Sequence, residues 1–287
     1  MRIHPICPSC LLNRVYYESK LVTENKDLIA KCIEEALKLL CEEYPRKPIN
    51  AYLATKIHKR VYQILQCDDP FFELKKKAND TSKLIVPMAE KIVSSSKDRI
   101  KAAIKIAIIG NVFDYGVLGH KVADEFEQFF IKKFHEELAI DDTEKIRELA
   151  RGNVVYLTDN AGEIFFDAIL MREIKKECKK LTVVVRGKPI LNDATIEDAK
   201  LAGIDKIADE ILTNGKGAIG IMLEELPEDT LSRLRNADLI ISKGMANYEC
   251  LSNSIFKPIA FLLTAKCLPI AEDLNVEVGK MVAKVIE

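Results

Sequence analysis

Apolar residues recur with a helical period through the first hundred positions and with a different rhythm after residue 150. In NKDLIAKCIEEALKLLCEEY, Leu28, Ile29, Cys32, Ile33, Ala36, Leu37 and Leu40 fall at helical spacing with charges between them, the mark of an amphipathic helix. A break at YPRKP precedes a second helical run, INAYLATKIHKRVYQIL. A break at CDDP precedes a third, FFELKKKANDTSKLIVPMAEKIVSSS, in which Pro87 marks a boundary or kink. DRIKAAIKIAIIGNVFDYG begins as a buried helix expected to end near Gly110. Neither a repeat nor a low-complexity tract interrupts the pattern.

Beyond residue 150, short apolar runs alternate with helical stretches. NVVYLTD, EIFFDAILMREIKKECKK, LTVVVRG and ATIEDAKLAG read as strand, helix, strand, helix. The order continues through the short strand DEILTNG, the helical GIMLEELPEDTLSRLRNA, the strand DLIISKG and KPIAFLLTAKC. Such alternation implies right-handed crossovers and a mostly parallel sheet. The expected architecture is α/β: an all-helical domain over residues 1–100, then a Rossmann-like α/β/α domain over 101–287.

Ligands of such sheets bind beyond the carboxyl ends of the strands, so the residues after each apolar run are the first candidates. VVYL is followed by Thr158-Asp159-Asn160, and TVVV by Arg186-Gly187-Lys188 and then Asn192-Asp193. EIL is followed by Thr213-Asn214-Gly215, LII by Ser242-Lys243-Gly244 with Asn247 close behind, and AFLL by Thr264 and Lys266. Five polar endings exceed what turn chemistry alone requires. Asp159, Asn160 and Asp193 supply hard oxygens suited to Mg²⁺ or Mn²⁺ and, with open positions, to Co²⁺ or Ni²⁺. Lys243 and Lys266, with Arg186 or Lys188 as further cations, suit an anion. Acids that hold a metal beside lysines that face an anion are what phosphoryl chemistry requires. This reading makes Asp159, Asn160, Asp193, Lys243 and Lys266 catalytic candidates. Asn111, Asp114, Glu163, Asn192, Asn214, Gly244 and Asn247 are candidates to line the substrate site. The helix entered at Ala161-Gly162-Glu163 adds backbone N–H groups for an anion.

Structural readings stand beside these. Asp159 or Asn160 suits a helix N-cap, with Glu163 completing a capping box. A strand-end lysine is often a solvated charge, and Asn192-Asp193 also suits a turn and cap. GKGAIG, residues 215–220, matches the dinucleotide fingerprint in form, but it follows a weak strand, and Lys243 stands where the ribose-binding acid belongs. That disfavours NAD. A methyltransferase is disfavoured because no glycine-rich loop follows the first strand. Cys7-Pro-Ser-Cys10 is half of a zinc site that Cys67 or His4 would complete, a redox pair, or two ordinary cysteines at a helix start. Cys32, Cys41 and Cys178 sit within helical patterns as packing residues. His58, His120 and His135 form no triad-like arrangement.

Bulk properties narrow the partners. Lys plus Arg (43) nearly balances Asp plus Glu (44), so no global field drives nucleic-acid or membrane binding. No run reaches the length that spans a bilayer, and MRIHPICPSC lacks an apolar signal region, which makes the cytoplasm the expected compartment. Eight cysteines in that setting favour free thiols, metal ligands or redox chemistry over disulfides. The expected partner is a small phosphorylated metabolite; oligomeric state leaves no mark in the sequence.

Taken in order, Cys7-Pro-Ser-Cys10, Gly110-Asn111 with Asp114, Asp159-Asn160-Ala-Gly-Glu163, Asn192-Asp193, Lys243-Gly244 with Asn247-Tyr248, and Thr264-Ala-Lys266 resemble the metal-dependent damage-control phosphatases, in their prokaryotic CxxC-bearing branch. The resemblance spans essentially the whole chain. It implies a helical N-terminal domain before a Rossmann-like one, hydrolysis of phosphate esters such as sugar phosphates, and a divalent metal on Asp159, Asn160 and Asp193. Lys266 matches the lysine of the family's late Arg-Thr-x-Lys motif, with Leu263 in place of the arginine. Met245 stands where an Asp often follows the lysine-glycine pair. Attack by water is favoured over an Asp159 nucleophile, because the adjacent Asn160 suits paired metal donors. The rival functions are a non-catalytic nucleotide or sugar-phosphate binding protein and a zinc or redox module at the N-terminus.

Overall fold

A computed structural model describes residues 1–112 and 123–287, with side chains of 1–111 and 128–287. Asp114 and His120 lie outside the described residues. Six helices come first: α1 (Cys7–Val22), α2 (Lys26–Glu43), α3 (Asn50–Leu65), α4 (Phe72–Ser95), α5 (Arg99–Val112) and α6 (Ala123–His135). Their boundaries follow local chemistry. Asn25 caps α2 by accepting from the N–H groups of Asp27 (3.0 Å) and Leu28 (3.2 Å). Pro87 is not a boundary, since α4 runs through it; the missing N–H forgoes one helical bond without ending the helix. The buried helix expected to end near Gly110 is α5, described from Arg99 through Gly110 to Val112. Gly110 belongs there because a Cβ would stand 2.9 Å from Cδ2 of Phe166.

The rest alternates: β1 (Ile140–Asp141), α7 (Thr143–Leu149), β2 (Asn153–Leu157), α8 (Glu163–Lys175), β3 (Lys180–Val185), α9 (Ile196–Leu201), β4 (Glu210–Thr213), α10 (Glu228–Arg235), β5 (Leu239–Lys243), α11 (Gly244–Leu251), β6 (Ile259–Thr264), α12 (Leu268–Leu274) and β7 (Met281–Ile286). The five strands expected from apolar runs are β2 to β6, all mutually parallel where they pair. Two further strands escaped the sequence reading: the two-residue β1, and β7, which runs antiparallel to β6. The long helix expected over GIMLEELPEDTLSRLRNA shrinks to α10 and a single 3₁₀ turn at Leu223–Glu225. Pro227 explains this, since the residue before a proline is pushed out of helical geometry.

Strand order is β1-β7-β6-β5-β2-β3-β4. The order reverses between β2 and β5, the switch point at which such sheets open a crevice. Side chains alternate across the sheet. Val154, Tyr156, Leu239 and Ile241 join the core under α4, α5 and α8, while Val155, Leu157 and Ile240 join the core shared with α1 and α3. Residues 1–100 thus divide between the two faces and share both cores with 101–287. Residue 100, read as a boundary, falls within α5, and helices continue to His135 before the first strand. Among the described residues, no helix is long and apolar enough to cross a membrane.

Candidate active site

The crevice is built from the residues leaving β2, β3 and β5. Thr158 ties the end of β2 to β3 through its N–H (3.1 Å) and hydroxyl (3.0 Å), both donating to Val184 O. Ala194 N–H then donates to Asp159 O, and Ala161 N–H to Asn192 O, each at 2.8 Å. These bonds bridge Asn160 to Asp193 in antiparallel fashion. Two loops that end different strands therefore present Asp159, Asn160 and Asp193 together. From the far side of the cleft, Asn79 on α4 accepts from Gly162 N–H (2.7 Å) and donates to Asp198 (2.7 Å), which caps α9.

Two amides clamp two acids. Asn111 Nδ2 donates to Asp159 Oδ2 (2.9 Å) and to Glu163 Oε2 (2.8 Å). Asn160 Nδ2 donates to the same two oxygens, each at 2.9 Å. A Cβ on Gly244 would fall 1.9 Å from Asp159 Oδ2, and Gly244 has φ +77, so only glycine fits there. Deeper in, Lys243 donates from Nζ to Ala107 O (2.9 Å), Glu163 Oε1 (2.6 Å) and Asp167 Oδ1. Tyr156 O–H donates to Asp167 Oδ1 at 2.8 Å. On the other side, Arg186 Nε donates to Asp193 Oδ2 at 2.5 Å, and its Nη2 stands 3.7 Å from Asp159 Oδ1.

Burial governs the electrostatics. It pushes Asp159 up to about 8, helped by Glu163 and Asp193 and opposed by Arg186 and Lys266. It pushes Asp167 up to about 7 against the pull of Lys243. It raises Asp193 as well, with Arg186 opposing. Glu163 goes the other way: burial is outweighed by the charge and hydrogen bond of Lys243 and by the Asn111 amide. Among the described residues, four buried carboxyl groups thus face two buried cations, Lys243 and Arg186. With all four acids ionised, the pocket would carry two uncompensated negative charges.

The sequence pattern of the family described as "Damage-control phosphatase ARMT1-like domain" matches residues 3–282. The chain belongs to the damage-control phosphatase family. A "Damage-control phosphatase" of Archaeoglobus fulgidus is 62% identical over 288 residues, covering 100% of both chains. "Damage-control phosphatase PH1575" of Pyrococcus horikoshii is 36% identical, over 98% of this chain and 97% of its own. The crystal structure of that P. horikoshii protein, titled a DUF89 family protein, superposes with a TM-score of 0.92 at 32% identity over the full length of both chains.

In this family member several predicted site residues converge and others do not. Asp159, Asn160, Asp193, Glu163, Asn111 and Gly244 meet at the switch point. Lys266 is half-buried and has no hydrogen-bond or ion-pair partner for its ammonium among the described residues. Lys243 corrects the expectation of a phosphate-holding lysine: it is 0% exposed and all three of its protons are taken. Asn214 is also corrected. Its side chain accepts from Gly187 N–H (3.1 Å) and donates to Ala218 O (2.8 Å) and Gly220 O (3.1 Å), so it organises the glycine loop and has no N–H left to donate to a substrate. Asn247 donates to Thr158 O (3.1 Å) and Lys243 O (2.8 Å), tying β2 to β5. Asn192 contributes its backbone carbonyl.

Neither Asp159 nor Asn160 caps α8, whose N-cap is Gly162, although Glu163 does accept from Asn160 N–H at 3.3 Å. Cys7, Cys10 and Cys67 are free thiols. Among the described residues no three His, Cys, Asp or Glu are gathered to hold a metal. Cys7 is buried, Cys10 exposed and Cys67 intermediate. Sequence reasoning missed Asp167, Tyr156 and Asn79. Asp167 had a usable signal, since it lies one helical turn after Glu163 within an otherwise apolar stretch.

Proposed function

We propose that the chain is a divalent-metal-dependent phosphatase of small phosphorylated metabolites, such as sugar phosphates, serving damage control. Asp159, Asn160 and Asp193 would hold the ion and Lys266 the phosphate. The observation that carries this reading is the excess of buried carboxyl groups over buried cations, combined with how the donor atoms are divided. Asp159 commits Oδ2 to two amides, Asn160 commits Nδ2 to two acids, and Asp193 commits Oδ2 to Arg186. Each keeps its other oxygen clear of a short hydrogen bond among the described residues. Three hard oxygens in a pocket with more buried carboxyl groups than cations fit a divalent ion of the Mg²⁺ or Mn²⁺ type, with Co²⁺ or Ni²⁺ as alternatives. Such an ion, when bound, polarises a phosphoryl oxygen and offsets developing charge.

The chain's own residues do the rest. Asn111, Asn160 and the close face of Gly244 fix the Asp159 carboxylate, which supports a ligand role over a mobile nucleophile. Lys266 keeps an unshared ammonium within electrostatic reach of Asp159 and Glu163, suited to a phosphate oxygen in the cleft. Lys243 keeps Glu163 ionised, so that Glu163 in turn orients Asn160.

The test is phosphate release from a panel of sugar phosphates and p-nitrophenyl phosphate, using metal-stripped protein given Mg²⁺, Mn²⁺, Co²⁺ or Ni²⁺ in turn. Turnover only with added metal is the expected result. Folded protein that binds sugar phosphates or nucleotides but releases no phosphate with any metal would replace the enzyme by a binding protein.

A further inference from the structure

We propose that Arg186 is the positioning residue of the metal-binding carboxylates, an inference that rests on the reading of Asp159 and Asp193 as ligands. The two acids come from loops behind different strands, β2 and β3, and nothing covalent sets their separation. Arg186 spans them, with Nε on Asp193 Oδ2 at 2.5 Å and Nη2 facing Asp159 Oδ1 at 3.7 Å. Its own backbone is locked to the same loop. Arg186 N–H donates to Ala194 O at 2.9 Å, and Arg186 pairs in parallel with Thr195. The guanidinium therefore cannot drift relative to Asp193, and its planar fork dictates which carboxylate edge turns toward the cleft.

Burial separates this role from a direct grip on substrate. The Arg186 side chain is 0% exposed, and both Nη atoms lie out of contact with solvent. Among the described residues neither Nη atom has a hydrogen-bond acceptor in range. Leaving buried N–H groups of a charged side chain unmet is unfavourable, so a hydrophobic or shorter side chain would serve packing better. What the arginine supplies is a fixed positive fork between two carboxylates that otherwise repel, and the side-chain hydrogen bond that orients Asp193. Ordering of this kind behind metal ligands commonly governs affinity for the ion.

The test measures Mn²⁺ binding directly, by the electron paramagnetic resonance signal of free Mn²⁺, in wild type, Arg186→Lys and Arg186→Gln. Inorganic phosphate affinity at saturating Mn²⁺ is measured in parallel. The expected result is a Kd for Mn²⁺ raised about 10- to 100-fold in Arg186→Gln. Arg186→Lys, which keeps the charge and loses the fork, should fall between that variant and wild type. Phosphate affinity of the metal-loaded variants should stay at the wild-type value. An unchanged Mn²⁺ Kd in folded Arg186→Lys and Arg186→Gln overturns the proposal. So does a loss of phosphate affinity with Mn²⁺ binding intact, which would make Arg186 a substrate contact. If Arg186→Gln fails to fold, Arg186→Lys alone decides by the same criterion. Wild type that takes up no Mn²⁺ removes the ligand assignment itself, a failure distinct from that of the variants.

Discussion

Lys243 ends β5 and Lys266 follows β6, two hydrogen-bonded neighbours in the sheet, and both lysines leave the same carboxyl rim. Their surroundings give them opposite characters. Lys243 lies on the face shared with Leu239 and Ile241, where α5 and α8 close over the strand and supply a carbonyl and two carboxylates. Lys266 leaves the sheet just before α12, half-buried and without a partner for its ammonium among the described residues. One lysine is an internal counter-ion and the other is free to meet a ligand. Position at a strand end gives a side chain reach; the elements packed over that end decide what it reaches.

The largest expected effect is at Asp159, within electrostatic reach of Lys266. Asp159→Ala should cut metal-dependent turnover on the order of 10³-fold or more, with several kcal/mol of transition-state stabilisation removed. Circular dichroism should show the fold intact, and unchanged turnover would sink the site assignment. Lys243→Met tests the counter-ion side. Stranding Glu163 and Asp167 should cost about 3–5 kcal/mol, read as a fall in the urea midpoint; an unshifted midpoint would erase the contrast between the two lysines. Lys266→Ala should leave that midpoint alone and weaken inorganic phosphate binding about 10- to 100-fold, the loss of one charged hydrogen bond. A destabilised Lys266→Ala with normal phosphate affinity would reverse the comparison.

The smallest effect sits on α11, behind Lys243. Burial pushes Glu249 up to about 7, opposed by the Asn50 amide and the N-terminal charge. A folded-state value raised above the unfolded one means the native state holds the extra proton. The contribution of Glu249 to stability is therefore full below about pH 4 and is lost as pH rises through 7. Glu249→Gln should flatten the decline in melting temperature between pH 5 and pH 8. Parallel pH profiles of the two proteins would show that Glu249 titrates normally.

Much of the fold was legible locally. Continuous apolar runs such as VVYL and TVVV announced buried parallel strands, because a strand covered on both faces needs no alternation. The two-residue β1 gives no such run, and β7 depends on pairing with β6. The residues gathered at the switch point were legible as types: an acid, an amide and glycine at strand ends. Their partners were not. Arg186, Asp193 and Asp159 meet because a backbone bridge joins two loops, and Asn79 reaches Gly162 across 83 positions of sequence.

The order of apolar and polar residues by itself determined the α/β class, the five parallel strands and the list of side chains delivered to one rim, because periodicity and strand ends are local properties. Only the tertiary structure decided that Lys243 is spent on Glu163, 80 residues away, and on Ala107, 136 residues away, that Asn214 belongs to its loop, and that Arg186 lies between two acids. Those roles depend on burial and on which charge faces which, and neither exists until distant segments pack.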